Sequence, residues 1–270
     1  MLKFSANLTM LFNEVDFLDR FGRAGRAGFK GVEYLFPYGW SKEQLVNELG
    51  KHGLEQVLHN LPAGNWQAGE RGIACLPGRE GEFQEGVEKA IEYAKALNCH
   101  RLNCLVGKAP QGASEKVRQT LINNLRFAAL ALEKEKIRLL IEPLNNQDIP
   151  GFYLVHTQDA LQLFKEINHP NLWLQYDVYH MQVMEGNLTK MISNNLSRID
   201  HIQIADNPGR HEPGTGEINF TNLFRFIDEA GYDGWVGCEY IPAGKTEDGL
   251  QWVKRYLQSP VSRIVHKRQI

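Results

Sequence analysis

IRLLIEP (137–143), LWLQYD (172–177), IDHIQIAD (199–206) and GWVGCEY (234–240) share one pattern: a short apolar run that closes on a single polar side chain. Apolar runs of this length, bounded by turn-forming residues, suit strands buried on both faces, as in a parallel sheet. LKFSANL (2–8), KGVEYLF (30–36), LEQVLHN (54–60) and RLNCLV (101–106) belong to the same series, so the chain carries eight such runs. Helical patterns lie between them. Phe83, Val87, Ile91, Ala94 and Leu97 hold three- and four-residue spacing over 80–97, and Val117, Leu121, Leu125, Ala128 and Leu132 do so over 114–133. Ser41 with Gln44 three residues later resembles a capping box and predicts a helix over 42–50.

The joints repeat as well. AGFKGVEY (27–34) and AGYDGWVGCEY (230–240) both put Gly where a helix stops in a left-handed residue, then a turn, then a strand ending in an acid. Eight strand–helix units with right-handed crossovers close most simply into an α/β (β/α)₈ TIM barrel, an architecture of about 250 residues. A doubly wound open sheet is the alternative, but no GxGxxG follows the first strand. No Pro/Ser/Gly-rich tract divides the chain, which predicts one barrel domain over 1–258 and a basic C-terminal tail over 259–270. The tail, SPVSRIVHKRQI, carries Arg263, His266, Lys267 and Arg268 and reads as a loosely held extension. Its docking on a second copy of the chain, in a homo-oligomer, is the other reading.

Of the 270 residues 43% are hydrophobic and 23% charged, and 30 basic side chains nearly balance 32 acidic ones, for a net charge of −2. That balance fits a soluble globular protein and excludes a general electrostatic grip on nucleic acid or a membrane surface. No stretch reaches the roughly 18 uncharged apolar residues of a spanning helix. The start, MLKFSANLTMLF, interleaves Lys3, Ser5, Asn7 and Thr9 with apolar residues and reads as a strand rather than a signal peptide. Cys75, Cys99, Cys104 and Cys238 form no CxxC pair, so reduced structural thiols and a cytoplasmic location are expected.

In a barrel the carboxyl ends of all strands gather at one mouth. Glu33, His59, Glu142, Asp177, Gln203 and Glu239 each close a run, with Asn103 near the end of the fourth. Taken singly, such an acid serves equally well to cap the next helix or to pair with Arg or Lys at the rim. Together, Glu142, Asp177, Gln203 and Glu239 offer three carboxylates and an amide oxygen. This hard-oxygen set suits Mg²⁺ or Mn²⁺ better than zinc.

His180, three residues after Asp177, and His59 are candidates to contact substrate hydroxyls, and His201 should lie one layer below Gln203. The segment NLPAGNWQAGERGIACLPGRE (60–80) is far longer than the usual loop of about two to six residues and reads as a lid. Its Arg71 and Arg79, with Lys108 and Arg210, are candidate partners for a substrate carboxylate. PGTGEIN (213–219) could offer backbone N–H groups to an anion, although a tight turn explains it equally well.

IEPLN around Glu142, QYDVYHMQ around Asp177, HIQIADNPGRHEPGTGEIN after His201 and GWVGCEY around Glu239 resemble the xylose-isomerase-like barrel superfamily, and within it the hydroxypyruvate isomerase family. FSANLTMLF, VEYLFPY and HNLPAGNWQAGERGIACLPGRE resemble that family too, so the resemblance spans residues 1–256. It implies an isomerase acting on a small hydroxy-keto acid, with hydroxypyruvate and tartronate semialdehyde as the pair and a 2-oxo-tetronate as the alternative substrate. It further implies that Glu142 and Glu239 are the catalytic proton-transferring acids and that, with Asp177 and Gln203, they hold one divalent metal ion. In related ketose 3-epimerases a His stands where this chain has Gln203. The DxxH pattern of Asp177 and His180 matches the sugar epimerase branch, where that His contacts substrate hydroxyls. An apurinic endonuclease of the same superfamily would need a basic face and a His-rich zinc cluster, and nine scattered His in a balanced chain do not supply them. A non-catalytic sugar-acid binding protein would not need two carboxylates facing an acidic ligand.

Overall fold

Each of the eight apolar runs forms a strand in the computed structural model, which describes residues 1–109 and 114–257. The strands are β1 (Lys3–Asn7), β2 (Gly31–Glu33), β3 (Glu55–Asn60), β4 (Arg101–Cys104), β5 (Arg138–Ile141), β6 (Leu172–Asp177), β7 (Ile199–Ile204) and β8 (Trp235–Cys238). All pair in parallel in chain order, and β1 pairs in turn with β8, Lys3 with Trp235 through Ala6 with Cys238, which closes the barrel.

Helices α1 (Phe17–Ala27), α2 (Lys42–His52), α3 (Glu80–Ala96), α4 (Glu115–Lys134) and α5 (Thr157–Ile167) separate the first six strands. Ser41 and Gln44 cap α2 reciprocally as predicted, with Gln44 N–H donating to Ser41 Oγ at 3.2 Å and Ser41 N–H to Gln44 Oε1 at 2.9 Å. After β6 the chain makes two helices, α6 (Val178–Met184) and α7 (Leu188–Asn195), because Gly186 (φ 64°) and Asn187 (φ 49°) are both left-handed and end the first one. Consequently PGTGEIN leads into α8 (Phe220–Glu229), and a short α9 (Lys254–Leu257) follows β8. The tail 259–270 lies outside the described residues.

Strand alternation sorts side chains into two environments. Outward residues such as Phe4, Val32, Leu102, Leu139, Ile202 and Val236 join the helices in the main apolar core. Within the barrel, Val57, Leu58, Leu140 and Trp235 fill a lower apolar layer, and above it Ser5, Asn7, Glu33, Asn103, Gln175, His201 and Gln203 are buried polar residues. At the lower rim the buried carboxylate of Asp200 pairs with Arg101 at 2.8 Å and with Arg138. Among the described residues no helix is long and apolar enough to cross a membrane, and all four cysteines are buried and unpaired.

The lower layer is tight. A Cβ on Gly31 would sit 2.7 Å from both the Trp235 ring and Val57, whereas one on Gly50 of α2 would meet nothing within 4 Å. Gly31→Ala should therefore destabilise by about 1–3 kcal/mol through overpacking. Gly50→Ala should stabilise by up to about 1 kcal/mol through helix propensity. Urea unfolding of the two variants tests these opposite signs.

Candidate active site

Glu142 follows β5, Asp177 ends β6, Gln203 lies in β7 and Glu239 follows β8; all four are at most 5% exposed. Asp177 pairs with Gln203, and Gln203 with Gly237, so these side chains share the inner face and meet at the mouth. Glu142 Oε2 accepts from Asn103 Nδ2 at 2.9 Å, and Asp177 Oδ1 accepts from Tyr179 N–H at 2.8 Å. Glu142 Oε1 and Asp177 Oδ2 are buried and accept no hydrogen bond.

The cation among these acids is Arg210. Its Nη2 lies 2.8 Å from Glu239 Oε2 and 3.7 Å from Asp177 Oδ2, and its guanidinium sits 5.1 Å from the Tyr179 ring centroid. The residue adopts φ 56°, and its carbonyl accepts from Ile241 N–H at 2.8 Å, which pins the backbone beside β8. Three carboxylates against one guanidinium leave an excess of negative charge in a site closed to water. Burial accordingly raises all three acids above the ordinary carboxylate range. Glu142 rises further through the charges of Glu239 and Asp177, and Glu239 is pushed up to about 8 despite Arg210.

His180 lies beside this cluster, and one ligand atom each from Glu142, Asp177 and His180 fall within 4.8 Å of one another. The imidazole is held neutral, because burial and the Arg210 charge both keep its pKa well below 6.5. Its Nδ1 faces two donors, the Asn145 backbone N–H at 3.2 Å and Asn145 Nδ2 at 2.7 Å. The orientation of that amide is fixed, since Asn145 Oδ1 accepts from the Gln147 and Asp148 N–H groups. Nδ1 must therefore accept, and the proton of the neutral ring sits on Nε2, which points at Asp177 Oδ2 from 3.6 Å. A protonated Nε2 donates hydrogen bonds and cannot ligate a metal, so His180 offers the mouth a hydrogen-bond donor.

A divalent cation suits the residues present. Two orphaned carboxylate oxygens, Glu142 Oε1 and Asp177 Oδ2, and the third acid Glu239 offer hard oxygens and uncompensated charge. Gln203 departs from the ligand set read in the sequence. Its Oε1 accepts from Gln175 Nε2 at 2.6 Å, while its Nε2 donates to Glu33 at 2.8 Å and faces Glu239 at 3.3 Å, so the amide turns its nitrogen, not its oxygen, toward the acids.

Other candidates are sorted by geometry. His59 does not reach the mouth. It is register partner to the outward Leu102, its ring lies 6.1 Å from that of Tyr38, and burial holds it neutral with a pKa of about 3. The next residue, Asn60, pairs with Asn103 and takes the inner position instead. Arg71 folds back over the Trp66 ring at 3.9 Å and donates to the Trp66 and Glu70 carbonyls. Arg79 pairs with Glu70 and Glu82. Among the described residues neither these two nor Lys108, whose backbone bridges to Phe152, contacts the acid cluster. Of the four basic candidates only Arg210 is brought in. His201 lies below Gln203 as predicted, 2.9 Å from Glu33.

The segment 60–80 divides in two. Ile73, Ala74 and Cys75 are buried, Cys75 N–H donates to Val106 carbonyl at 2.9 Å, and Gly72 passes too close to the Leu105 backbone for any side chain. Only the part carrying Trp66, which packs on Phe36, projects as a rim. The 213–219 turn is likewise committed: Asp206 accepts from the Gly214 and Ile218 N–H groups at 2.8 and 3.1 Å, so these donors hold the loop. Asn7, Asn145 and Gln175 were not singled out from sequence as site residues. For Asn7 the Ser5/Asn7 alternation was the available signal.

A closed parallel barrel with an acid-lined mouth at its carboxyl end defines an α/β-barrel enzyme. The model of the xylose isomerase-like TIM barrel family matches residues 21–256. Over 257 residues, 95% of this chain and 100% of the relative, the sequence is 57% identical to hydroxypyruvate isomerase of Escherichia coli K12. It is 44% identical to 2-oxo-tetronate isomerase of Cupriavidus necator over 95% of this chain and 99% of the relative. A crystal structure from Brucella melitensis, named AP endonuclease, family 2, superposes with a TM-score of 0.93 at 47% identity, covering 95% of this chain and 99% of the other. The chain belongs to the xylose isomerase-like TIM barrel family and, within it, to the hydroxypyruvate isomerase group, and it is an isomerase.

The raised acids make stability depend on pH. A carboxyl whose pKa rises from 4.5 to about 8 on folding binds its proton more tightly when folded, so its stabilisation is full below 4.5 and is lost as pH climbs toward 8. The neutral buried histidines act in the opposite sense, but only below the 6.5 of an unfolded histidine. Between pH 6.5 and 8, metal-free protein in chelator should thus lose up to about 1.4 kcal/mol per pH unit for each such carboxyl. Saturating Mn²⁺ should flatten that slope. Thermal midpoints across this window check it, and a midpoint independent of pH in chelator would contradict the site's charge balance.

Proposed function

We propose that the enzyme interconverts hydroxypyruvate and tartronate semialdehyde by proton transfer between adjacent carbons. The observation that carries this reading is the pair of buried acids Glu142 and Glu239 facing one mouth beside the donors Arg210 and His180, in a chain so similar to a hydroxypyruvate isomerase. Arg210 and the Nε2–H of His180 bind and orient oxygens of the anionic substrate. One glutamate removes a proton from C3. The other returns a proton at C2 while the hydroxyl proton passes from O3 to O2, so the ketone becomes a hydroxyl and the alcohol an aldehyde with no net oxidation. Glu142, Asp177 and Glu239 would hold Mg²⁺ or Mn²⁺, which when bound supplies positive charge against the negative charge that develops on the two substrate oxygens.

The upper barrel excludes water from this step, since each acid is at least nine-tenths buried. The rim segment around Trp66 and Phe36 supplies the outer wall. Reduced buried thiols and a small metabolite substrate suit the cytoplasm.

Proton NMR in D₂O tests the reading, using metal-supplemented enzyme with hydroxypyruvate and, separately, a 2-oxo-tetronate. Deuterium entering hydroxypyruvate with conversion to the semialdehyde is the expected result. Turnover of the tetronate alone would assign the alternative substrate, and exchange into neither would leave a binding protein. Glu142→Gln and Glu239→Gln should each lower kcat by about 10²–10⁴-fold. Near-normal turnover in both would refute their roles.

A further inference from the structure

We propose that Glu33, two layers of hydrogen bonds below the substrate, is a positioning residue that fixes which oxygen Glu239 presents to the mouth, acting through Asn7 and Gln203; this rests on Glu239 being a proton-transferring acid. Glu33 ends β2, is wholly buried, and is not used by the chemistry described above. Its Oε2 accepts from Ser5 Oγ at 2.7 Å and lies 2.9 Å from His201 Nε2. Its Oε1 accepts from Asn7 Nδ2 at 3.3 Å and from Gln203 Nε2 at 2.8 Å.

The same two amide nitrogens also reach Glu239 Oε1, Asn7 at 3.0 Å and Gln203 at 3.3 Å. Each NH₂ has two hydrogens, and each finds two carboxylate oxygens, one on Glu33 and one on Glu239. Neither amide can turn over. Asn7 Oδ1 is held by the Thr9 N–H at 3.0 Å and Gln203 Oε1 by Gln175 Nε2 at 2.6 Å. Glu239 Oε1 is thereby saturated from below, which leaves Oε2, the oxygen beside Arg210 at 2.8 Å, to face the substrate. Position 237 has no room for anything but glycine, because a Cβ there would overlap the Glu33 carboxylate. The backbone itself is shaped around this buried group.

Without an acceptor at position 33 the second hydrogen of each amide has no partner, the amides are free to turn, and Glu239 loses its fixed rotamer. A buried contact with His201 that merely holds the barrel together predicts a different outcome, since it would affect folding and leave the reacting oxygen in place.

Glu33→Met keeps the length of the side chain and removes the acceptor that both amides share. We expect kcat to fall by about 10–10²-fold with KM changed less than threefold, because the loss falls on the transition state and not on substrate binding. In a Glu239→Gln background, followed by slow C3 deuterium exchange, Glu33→Met should add no further loss. Unchanged kcat, or the same loss whether or not Glu239 is present, would overturn the proposal. Should Glu33→Met fail to fold, Asn7→Ser removes one of the two bridges and should show a smaller kcat loss that again vanishes with Glu239→Gln. A readout independent of turnover separates this from the functional reading. The side-chain amide ¹H–¹⁵N signals of Asn7 and Gln203 should be protected from exchange in the wild type and lose protection in Glu33→Met and Glu239→Gln alike. If the wild type converts neither substrate but these signals respond so, the isomerase assignment fails and the clamp stands. Signals that are unprotected in the wild type, or indifferent to both substitutions, overturn the clamp.

Discussion

Three carboxylates and one guanidinium share the mouth of a barrel that excludes water, and most of the upper half of the molecule follows from that imbalance. Carboxylates brought this close, with little water to screen them, are tolerated only if each has a specific partner or surrenders its charge. Glu142 leans on Asn103, Asp177 on the first turn of α6, and Glu239 on Arg210 and two amides. What those partners leave over, two orphaned oxygens and a surplus of negative charge, is what a divalent cation would offset.

Much of this was legible because a buried parallel strand writes itself as an apolar run, and eight such runs at spaced intervals have few ways to pack. The polar residue closing each run is a weaker signal, since its direction depends on parity. Asp177 and Gln203 sit on the inner face of their strands and Glu239 continues that of β8. His59 fails because the register between β2 and β3 shifts after Val32, and Asn60, one residue later, takes the inner place. Side chains on loops were hardest to place. Arg71, Lys108 and Arg210 look alike in sequence, and what separates them is a left-handed backbone at Arg210 and a hydrogen bond from Ile241, neither of which has a local signature. The proton position on His180 depends on Asn145, thirty-five residues away in sequence.

Gln203 stands where its strand position puts it, with its amide turned away from the orientation a metal ligand would need. The amide is at the mouth among the acids, as its strand position requires, yet Gln175 takes its oxygen and Glu33 its nitrogen. A histidine at this position could offer one nitrogen to a metal and the other to Glu33, whereas a glutamine has an NH₂ that can serve two carboxylates at once. Here the amide ties the seventh strand to Glu33 and Glu239.

The pairing of β1 with β8 carries a consequence for the order in which the molecule comes into being. Asn7 precedes Glu239 by 232 residues along the chain, so one of the two amides that brace this acid is made long before the acid itself. Contacts this distant in sequence form late and slowly, and until they do, the edges of β1 and β7 stay open to other chains. β8 thus brings two things at once, the strand that closes the ring against β1 and the acid Glu239 that follows it.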